Sequence, residues 1–329
     1  MLAFVAAALA AVGIAILVAT GDDAAREEPR TGTSFVTVTR TSDIAVLDLA
    51  TGRTRLLTDA GGGYLAVSSP TWSPDGRRIA YARQACPHCP FRLAVAPSKG
   101  GLPDPVHGWR KNGQEAVWSA KGDRLAFTTN ENGERELVLL DLNGGRSRTP
   151  ELHKQSEEDG EEEEVESPNH PAFSPDGRTL AFDAETTREQ TRIFLLDLPS
   201  GRLRELKSDA DHHGYPAFSP SGRRLAFSRS DSRFAWNLCV AELDDDETTC
   251  LTHGPANEVE PIWSPNGRSI VFASDQGDAK HVIRSLYLVR PDGTGLRRLT
   301  RGFDDGAPSY SPNGSEVAFV RRRIVRTRG

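Results

Sequence analysis

Apolar and polar positions along this chain recur in one repeated order. An aromatic residue leads into a polar turn, and an apolar triplet follows. The best copy is Pro171-Ala172-Phe173-Ser174-Pro175-Asp176-Gly177-Arg178-Thr179-Leu180-Ala181-Phe182. Further copies run Pro70 to Tyr81, Pro216 to Phe227, Pro261 to Phe272 and Pro308 to Phe319, with a worn one from Ala116 to Phe127. A nearly continuous apolar run comes next, such as Ile193 to Leu198. Its counterparts are Ile44 to Leu49, Leu137 to Leu142, Leu238 to Leu243 and Leu286 to Val289. Runs that do not alternate belong to strands covered on both faces. A short turn follows (Pro199-Ser200-Gly201), then a polar strand ending in Leu-Thr at Leu57-Thr58, Leu251-Thr252 and Leu299-Thr300. Each unit predicts four short antiparallel strands.

The turn chemistry explains the punctuation. Ser174 accepts a local backbone hydrogen bond, Pro175 presets φ, Asp176 suits the third position and Gly177 takes the left-handed conformation. Asn266, Asn313 and Ser221 stand where Asp stands in the best copy. Ser119-Ala120-Lys121-Gly122 keeps only Ser and Gly, so this turn is expected to be the loosest. The leading serines fall at 73, 119, 174, 219, 264 and 311, a spacing of 45 to 47 residues with one interval of 55.

Four-stranded units of this period predict a β-propeller. The unit resembles the WD-like (PD40) repeat of TolB-like proteins, from about Ser34 onward. The resemblance implies an all-β propeller and a role at the cell envelope. TolB-type proteins also carry an N-terminal α/β domain, for which this chain leaves no length, so a Tol-system role is not implied. Six turn motifs but five complete units suggest six blades, the last combining Ile44 to Leu49 and Arg53 to Thr58 with Pro308 to Phe319. Phe35-Val36-Thr37-Val38 reads as an additional strand, pairing at an edge or flanking the ring, and seven blades is the alternative count.

The N-terminal segment changes the picture. Met1 to Thr20 has no charged side chain and is long enough to span a bilayer as a helix. It is expected to be a transmembrane anchor or a signal peptide; Val18-Ala19-Thr20 is a poor cleavage site, and the anchor is preferred. Residues 21–33 form a polar linker and 34–329 the propeller. Acidic residues outnumber basic ones just after the segment, which places the propeller outside the cytoplasm, membrane-anchored or else secreted or periplasmic. The net charge of −6 and mean hydropathy of −0.47 suit a soluble body and give no reason to expect nucleic acid as a partner.

The four cysteines fit an oxidising compartment. Cys239 and Cys250 lie on the two arms of a hairpin around Asp244-Asp245-Asp246, as a disulfide or as two buried thiols. Cys86-Pro87-His88-Cys89 resembles the motif of DsbA-type thiol oxidoreductases, which needs a helix N-terminus. Between two strands the readings are a loop-stapling disulfide, a metal half-site or redox chemistry. The long interval holds an acidic insertion, 155–166, expected as a solvated loop or as a contact for a basic partner or cation. Arg321, Arg322, Arg323, Arg326 and Arg328 read as a solvated tail, or as a contact for acidic surface or anionic lipid.

Propeller ligands gather at the channel mouth. The residues just before each first strand are the candidates: Ser69, Glu115, His170, Tyr215, Glu260 and Ala307. Two carboxylates and a histidine could hold a divalent cation or a basic peptide end. His212-His213 reads as an exposed loop pair. No Gly-x-Ser-x-Gly elbow, phosphate-cradling loop or His-Glu-x-x-His helix is present. Without a catalytic motif, the expected function is a non-catalytic scaffold binding a protein or peptide, with no cofactor required. The alternatives are a channel-metal hydrolase or lyase using Glu115, His170 and Glu260, and an extracytoplasmic sensor domain.

Overall fold

Four strands meet where the two ends of the chain come together. In a computed structural model, β1 (Val36–Asp48) and β2 (Thr54–Leu56) join β25 (Asp304–Tyr310) and β26 (Glu316–Arg328) in the order β2-β1-β26-β25. The structure describes residues 36–328, apart from 59–65, 87, 132, 156–161, 187–189, 209, 232–234 and 279–282. Both the N-terminal helix expected over 1–20 and the linker lie outside the described residues.

The remaining units follow in chain order. The first is β3 (Ala66–Trp72), β4 (Arg78–Gln84), β5 (Arg92–Pro97) and β6 (Asp104–Pro105); the second is β7 (Gln114–Trp118), β8 (Arg124–Glu131), β9 (Glu134–Asp141) and β10 (Ser147–Arg148). A two-stranded ribbon, β11 (His153–Gln155) with β12 (Glu162–Glu164), interrupts the series. Then come β13 (Glu166–Phe173), β14 (Thr179–Glu185), β15 (Thr191–Asp197) and β16 (Leu203–Glu205), and after them β17 (His212–Phe218), β18 (Arg224–Ser230), β19 (Asn237–Glu242) and β20 (Thr248–Cys250). The last meander is β21 (Glu258–Trp263), β22 (Ile270–Ser274), β23 (Ser285–Val289) and β24 (Arg297–Arg298).

The fold is an all-β propeller, with one correction to its expected sheets. Four sheets are four-stranded, but the units beginning at β13 and β17 share one eight-stranded sheet. A single parallel bridge between Thr191 and His212 fuses them. It forms where the first residues of β15 and β17 lie side by side.

Packing explains the continuous apolar runs. Ile193, Phe194, Leu195 and Leu196 are all buried. Phe194 and Leu196 face one inter-unit layer, with Phe182 and Leu139. Ile193 and Leu195 face the next, with Phe227 and Cys239. Tyr81, Phe127, Phe182, Phe227, Phe272 and Phe319 occupy one position in successive units, each at most 2% exposed. Burying one such ring contributes roughly 2–3 kcal/mol. The layer containing Ile44 and Val320 together with Val67 and Ile79 closes the ring.

The turns form a second circle. In each copy the glycine N–H donates to the serine carbonyl at 2.8–2.9 Å, and the second residue after that glycine donates its N–H to the serine Oγ at 2.9–3.1 Å. Five of the six turn glycines also abut a proline of the preceding turn, Gly76 meeting Pro312 across the closure. The worn turn is not looser. Asp123 accepts from Ser119 Oγ at 2.8 Å in place of the missing aspartate. Where Ala120 leaves no proline, Arg124 Nη2 reaches the Gly177 carbonyl at 3.3 Å.

Three other expectations are corrected. Phe35 to Val38 predicts a separate strand, but Val36 begins β1, whose pairing with β26 runs unbroken from Val36–Arg328 to Asp48–Glu316. The arginine tail is therefore a strand. Arg321 pairs with the buried Asp305, Arg323 with the buried Asp43, and Arg322 with Asp304 at 3.6 Å. The acidic insertion is not all loop, because Glu162–Glu164 pair with His153–Gln155 and Glu166 opens β13.

Candidate functional site at the central channel

The first strand of every unit is broken at one residue. Ser69, Glu115, His170, Tyr215, Glu260 and Ala307 have φ between 46° and 58°. Each sits at a shift of register between the first and second strands. These residues thus lie inside the first strands, not before them as expected. In five units proline follows and offers no N–H to the ladder, which is what a bulge tolerates. Positive φ costs a non-glycine residue of order 1 kcal/mol and persists only where the surroundings impose it. All six residues are partly buried.

Carboxylates tie one unit to the next at these bulges. Glu115 Oε2 accepts from the His170 backbone N–H at 3.0 Å. Asp183 Oδ1 accepts from the Tyr215 N–H at 3.0 Å, and Glu260 Oε2 from the Ala307 N–H at 2.6 Å. The bulge exposes an N–H that its own sheet no longer satisfies, and the neighbouring acid takes it.

His170 is the centre of one arc. Its Nδ1 lies 2.8 Å from Asp183 Oδ1 and its Nε2 3.6 Å from Glu115 Oε1. Thr128 Oγ1 donates to Glu115 Oε2 at 3.1 Å. The imidazole packs on Tyr215, with ring centroids 4.1 Å apart. Burial disfavours its charged form, but Asp183, Glu115 and Glu260 outweigh that and hold its pKa at about 9. It is a cation at neutral pH. Its side chain nonetheless keeps 30% of its surface accessible. The Tyr215 hydroxyl is pushed up by burial and by Glu260 and Asp183, and stays protonated.

The other arc is built from Glu260, Arg284, Asp304 and Arg322. Burial raises the Glu260 carboxyl, yet Arg284, Arg322, the Ala307 N–H and His170 bring it below its ordinary value. Arg284 Nε lies 3.7 Å from Asp304 Oδ1. Burial opposes its charge, but Glu260 and Asp304 raise its pKa. A Cβ on Gly306 would come within 2.8 Å of Glu260 Oε2, so a side chain there would displace that carboxylate.

Sequence reading found the six bulge positions but not their partners Asp183, Arg284, Asp304 and Arg322. Asp183 does leave a signal. It follows the triplet Leu180-Ala181-Phe182, where the other units have Ala82, Thr128, Ser228, Ala273 and Val320. The remaining candidates lie apart from this cluster. His212 and His213 are buried in β17 and not in an exposed loop. The pair is buried because β17 starts at His212 and carries it into the sheet. Cys239 and Cys250 stand directly opposite across β19 and β20 and are disulfide-bonded, as are Cys86 and Cys89. Among the described residues no group of three or more His, Cys, Asp or Glu side chains is disposed to hold a metal ion. No described helix is long and apolar enough to cross a membrane.

Residues 160–327 match the TolB β-propeller domain family, PD40, over half of the chain. The chain belongs to this family. A TolB homolog of Chlorobium luteolum is 51% identical over 43 residues, 12% of this chain and only a tenth of that relative's length. A structure assigned to TolB from Agrobacterium tumefaciens superposes with a TM-score of 0.71 at 22% identity, covering 87% of this chain and all of that one. TolB from Acinetobacter baumannii gives 0.57 at 16% identity, over 89% and 80% of the two chains. An oligogalacturonate lyase in complex with manganese gives 0.55 at 14%, over 87% and 78%. At these identities the structures share the TolB propeller fold with this chain, and a lyase is among them.

Proposed function

We propose that this chain is a six-bladed, non-catalytic propeller that binds a protein or peptide segment in its central channel, outside the cytoplasm. The fused eight-stranded sheet counts as two blades, since each half is a complete meander. The observation that carries the reading is the ring of six bulges, which carries five kinds of side chain on one repeated backbone geometry. A partly exposed His170 cation lies on one arc, and the Glu260 and Arg284 charges lie on the other. Side chains held by strained backbone and by neighbouring blades are pre-organised, which lowers the ordering cost of binding. Adjacent fixed charges of both signs suit a peptide, whose side chains and termini present both. Membership of the TolB propeller family supports an envelope scaffold, and the two disulfides suit an oxidising compartment. Residues 1–20 would then tether the propeller to the membrane.

The test is capture from an envelope fraction by the full chain, compared with His170→Ala and Glu115→Gln. A partner retained by the parent and lost from both variants, at unchanged circular dichroism, supports the reading. Equal retention by all three proteins sinks it. The reading assigns no cofactor, so retention is expected to survive a chelator.

A further inference from the structure

The two disulfides differ in loop length and in the burial of one partner, although Cys250 is partly exposed like Cys86 and Cys89. Cys239 and Cys250 are 11 residues apart, and Cys239 is fully buried in an apolar layer. Cys86 and Cys89 are three residues apart, in the loop joining β4 to β5, and both are partly exposed. Closing so short a loop removes little entropy from the unfolded chain, so stabilisation is a weak account of this bond. The loop is also held without it. The Cys89 N–H donates to the Cys86 carbonyl at 3.0 Å, and the Gln84 side-chain amide donates to the Cys89 carbonyl at 2.7 Å. A reduced pair would keep its two sulfurs close.

The loop and the strands that flank it carry only basic charge. From Gly76 to Pro103 there is no Asp or Glu, although the whole chain is net acidic. Arg83 and Arg92 are register partners at the ends of β4 and β5, one on each side of the loop. The exposed His88 lies between the cysteines. Cationic neighbours stabilise a thiolate and make it a better leaving group. No helix N-terminus is present here, and the arginine pair takes its place.

We propose that Cys86 and Cys89 form a surface thiol–disulfide exchange site that accepts electrons from dithiols. A substrate thiolate attacks one sulfur of the pair, forming a mixed disulfide and expelling the other as a thiolate. The substrate's second thiol, losing its proton, then attacks its own sulfur in the mixed disulfide. The substrate leaves as a disulfide, oxidised by two electrons. Cys86 and Cys89 are reduced to two thiols and take up the two protons the substrate lost.

The full chain is incubated with graded glutathione buffers, free thiols are alkylated, and each cysteine pair is followed by mass spectrometry. We expect Cys86–Cys89 to exchange about tenfold or more faster than Cys239–Cys250. One equivalent of a reduced, unfolded polypeptide should lose its thiols as the pair is reduced; dithiothreitol alone reacting would restrict the substrate to small dithiols. Arg83→Gln with Arg92→Gln should slow exchange about threefold at unchanged melting temperature. Should the double variant melt lower, the exposed Arg92→Gln alone gives the same readout. Equal exchange of the two disulfides, or parental rates in the arginine variants, overturns the proposal.

Discussion

The turn circle and the channel circle are built on the same blades, yet they treat residue identity in opposite ways. At the turns the geometry repeats and so do the residues. Each buried serine serves its own turn, and each glycine meets the preceding blade. At the bulges the geometry repeats but the residues are Ser, Glu, His, Tyr, Glu and Ala. A turn is satisfied by its own side chains, so its chemistry is dictated by the fold. A bulge needs only a backbone conformation, and at His170, Tyr215 and Ala307 its N–H is satisfied from the neighbouring blade. The side chain there is free to be chosen for something other than folding.

That contrast can be broken, beginning with the largest effect. Asp183→Ala removes the acceptor for both the His170 ring and the Tyr215 N–H and leaves a cation in a mostly enclosed site. It should cost about 3 kcal/mol in denaturant titration, the range for stranding one partner of a buried pair. A loss below about 1 kcal/mol would show that the channel charges are solvated and not fixed by the ring.

The second effect is a pH dependence. The His170 pKa is raised from 6.5 to about 9, so its contribution is fully present below 6.5 and lost as pH rises through about 9. Glu258 is raised by burial from 4.5 to about 7, so the stability linked to its protonation is lost as pH rises from 4.5 through about 7. Both terms make stability fall with rising pH. His170→Gln should remove the upper part of that slope, at most about 3 kcal/mol and about 2 kcal/mol once solvent screening of the partly exposed ring is allowed for, and Glu258→Gln the lower part. A variant with the parental profile refutes its assignment.

Turn substitutions should be smaller and alike. Ser73→Ala, Ser174→Ala and Ser264→Ala each delete one hydrogen-bonding hydroxyl and should each cost about 1 kcal/mol. Scatter much beyond that would mean that the turns are not equivalent. The smallest effect has the opposite sign. Ala307→Gly relieves a positive φ of 49° and should be neutral or stabilising by up to about 0.5 kcal/mol. Clear destabilisation would show that the bulge is not strained.

Much of the fold was legible because the blade is a local object. Ser-Pro-Asp-Gly marks its turn through φ preferences and hydrogen bonds spanning five residues, and Ile193 to Leu196 announce burial on both faces. The same locality placed the channel candidates, since each precedes the recurring aromatic by a fixed step. The worn turn misled because Asp123, one residue beyond the motif, supplies the missing acceptor. The arginine run misled because its partners Asp43 and Asp305 come from other strands, Asp43 from the far end of the chain.

By itself the sequence determined the repeat, the strands and turns within each unit, the positions of the six bulges and the facing of Cys239 and Cys250. All of these follow from interactions between residues a few positions apart. Only the tertiary structure decided that β15 and β17 join two units into one sheet and that β1 runs on with β26 to its last described residue. It also decided that His170 is a cation held by Asp183 and Glu115. Those outcomes depend on distances between blades, and charge state in particular is set by burial and by partners contributed from separate units.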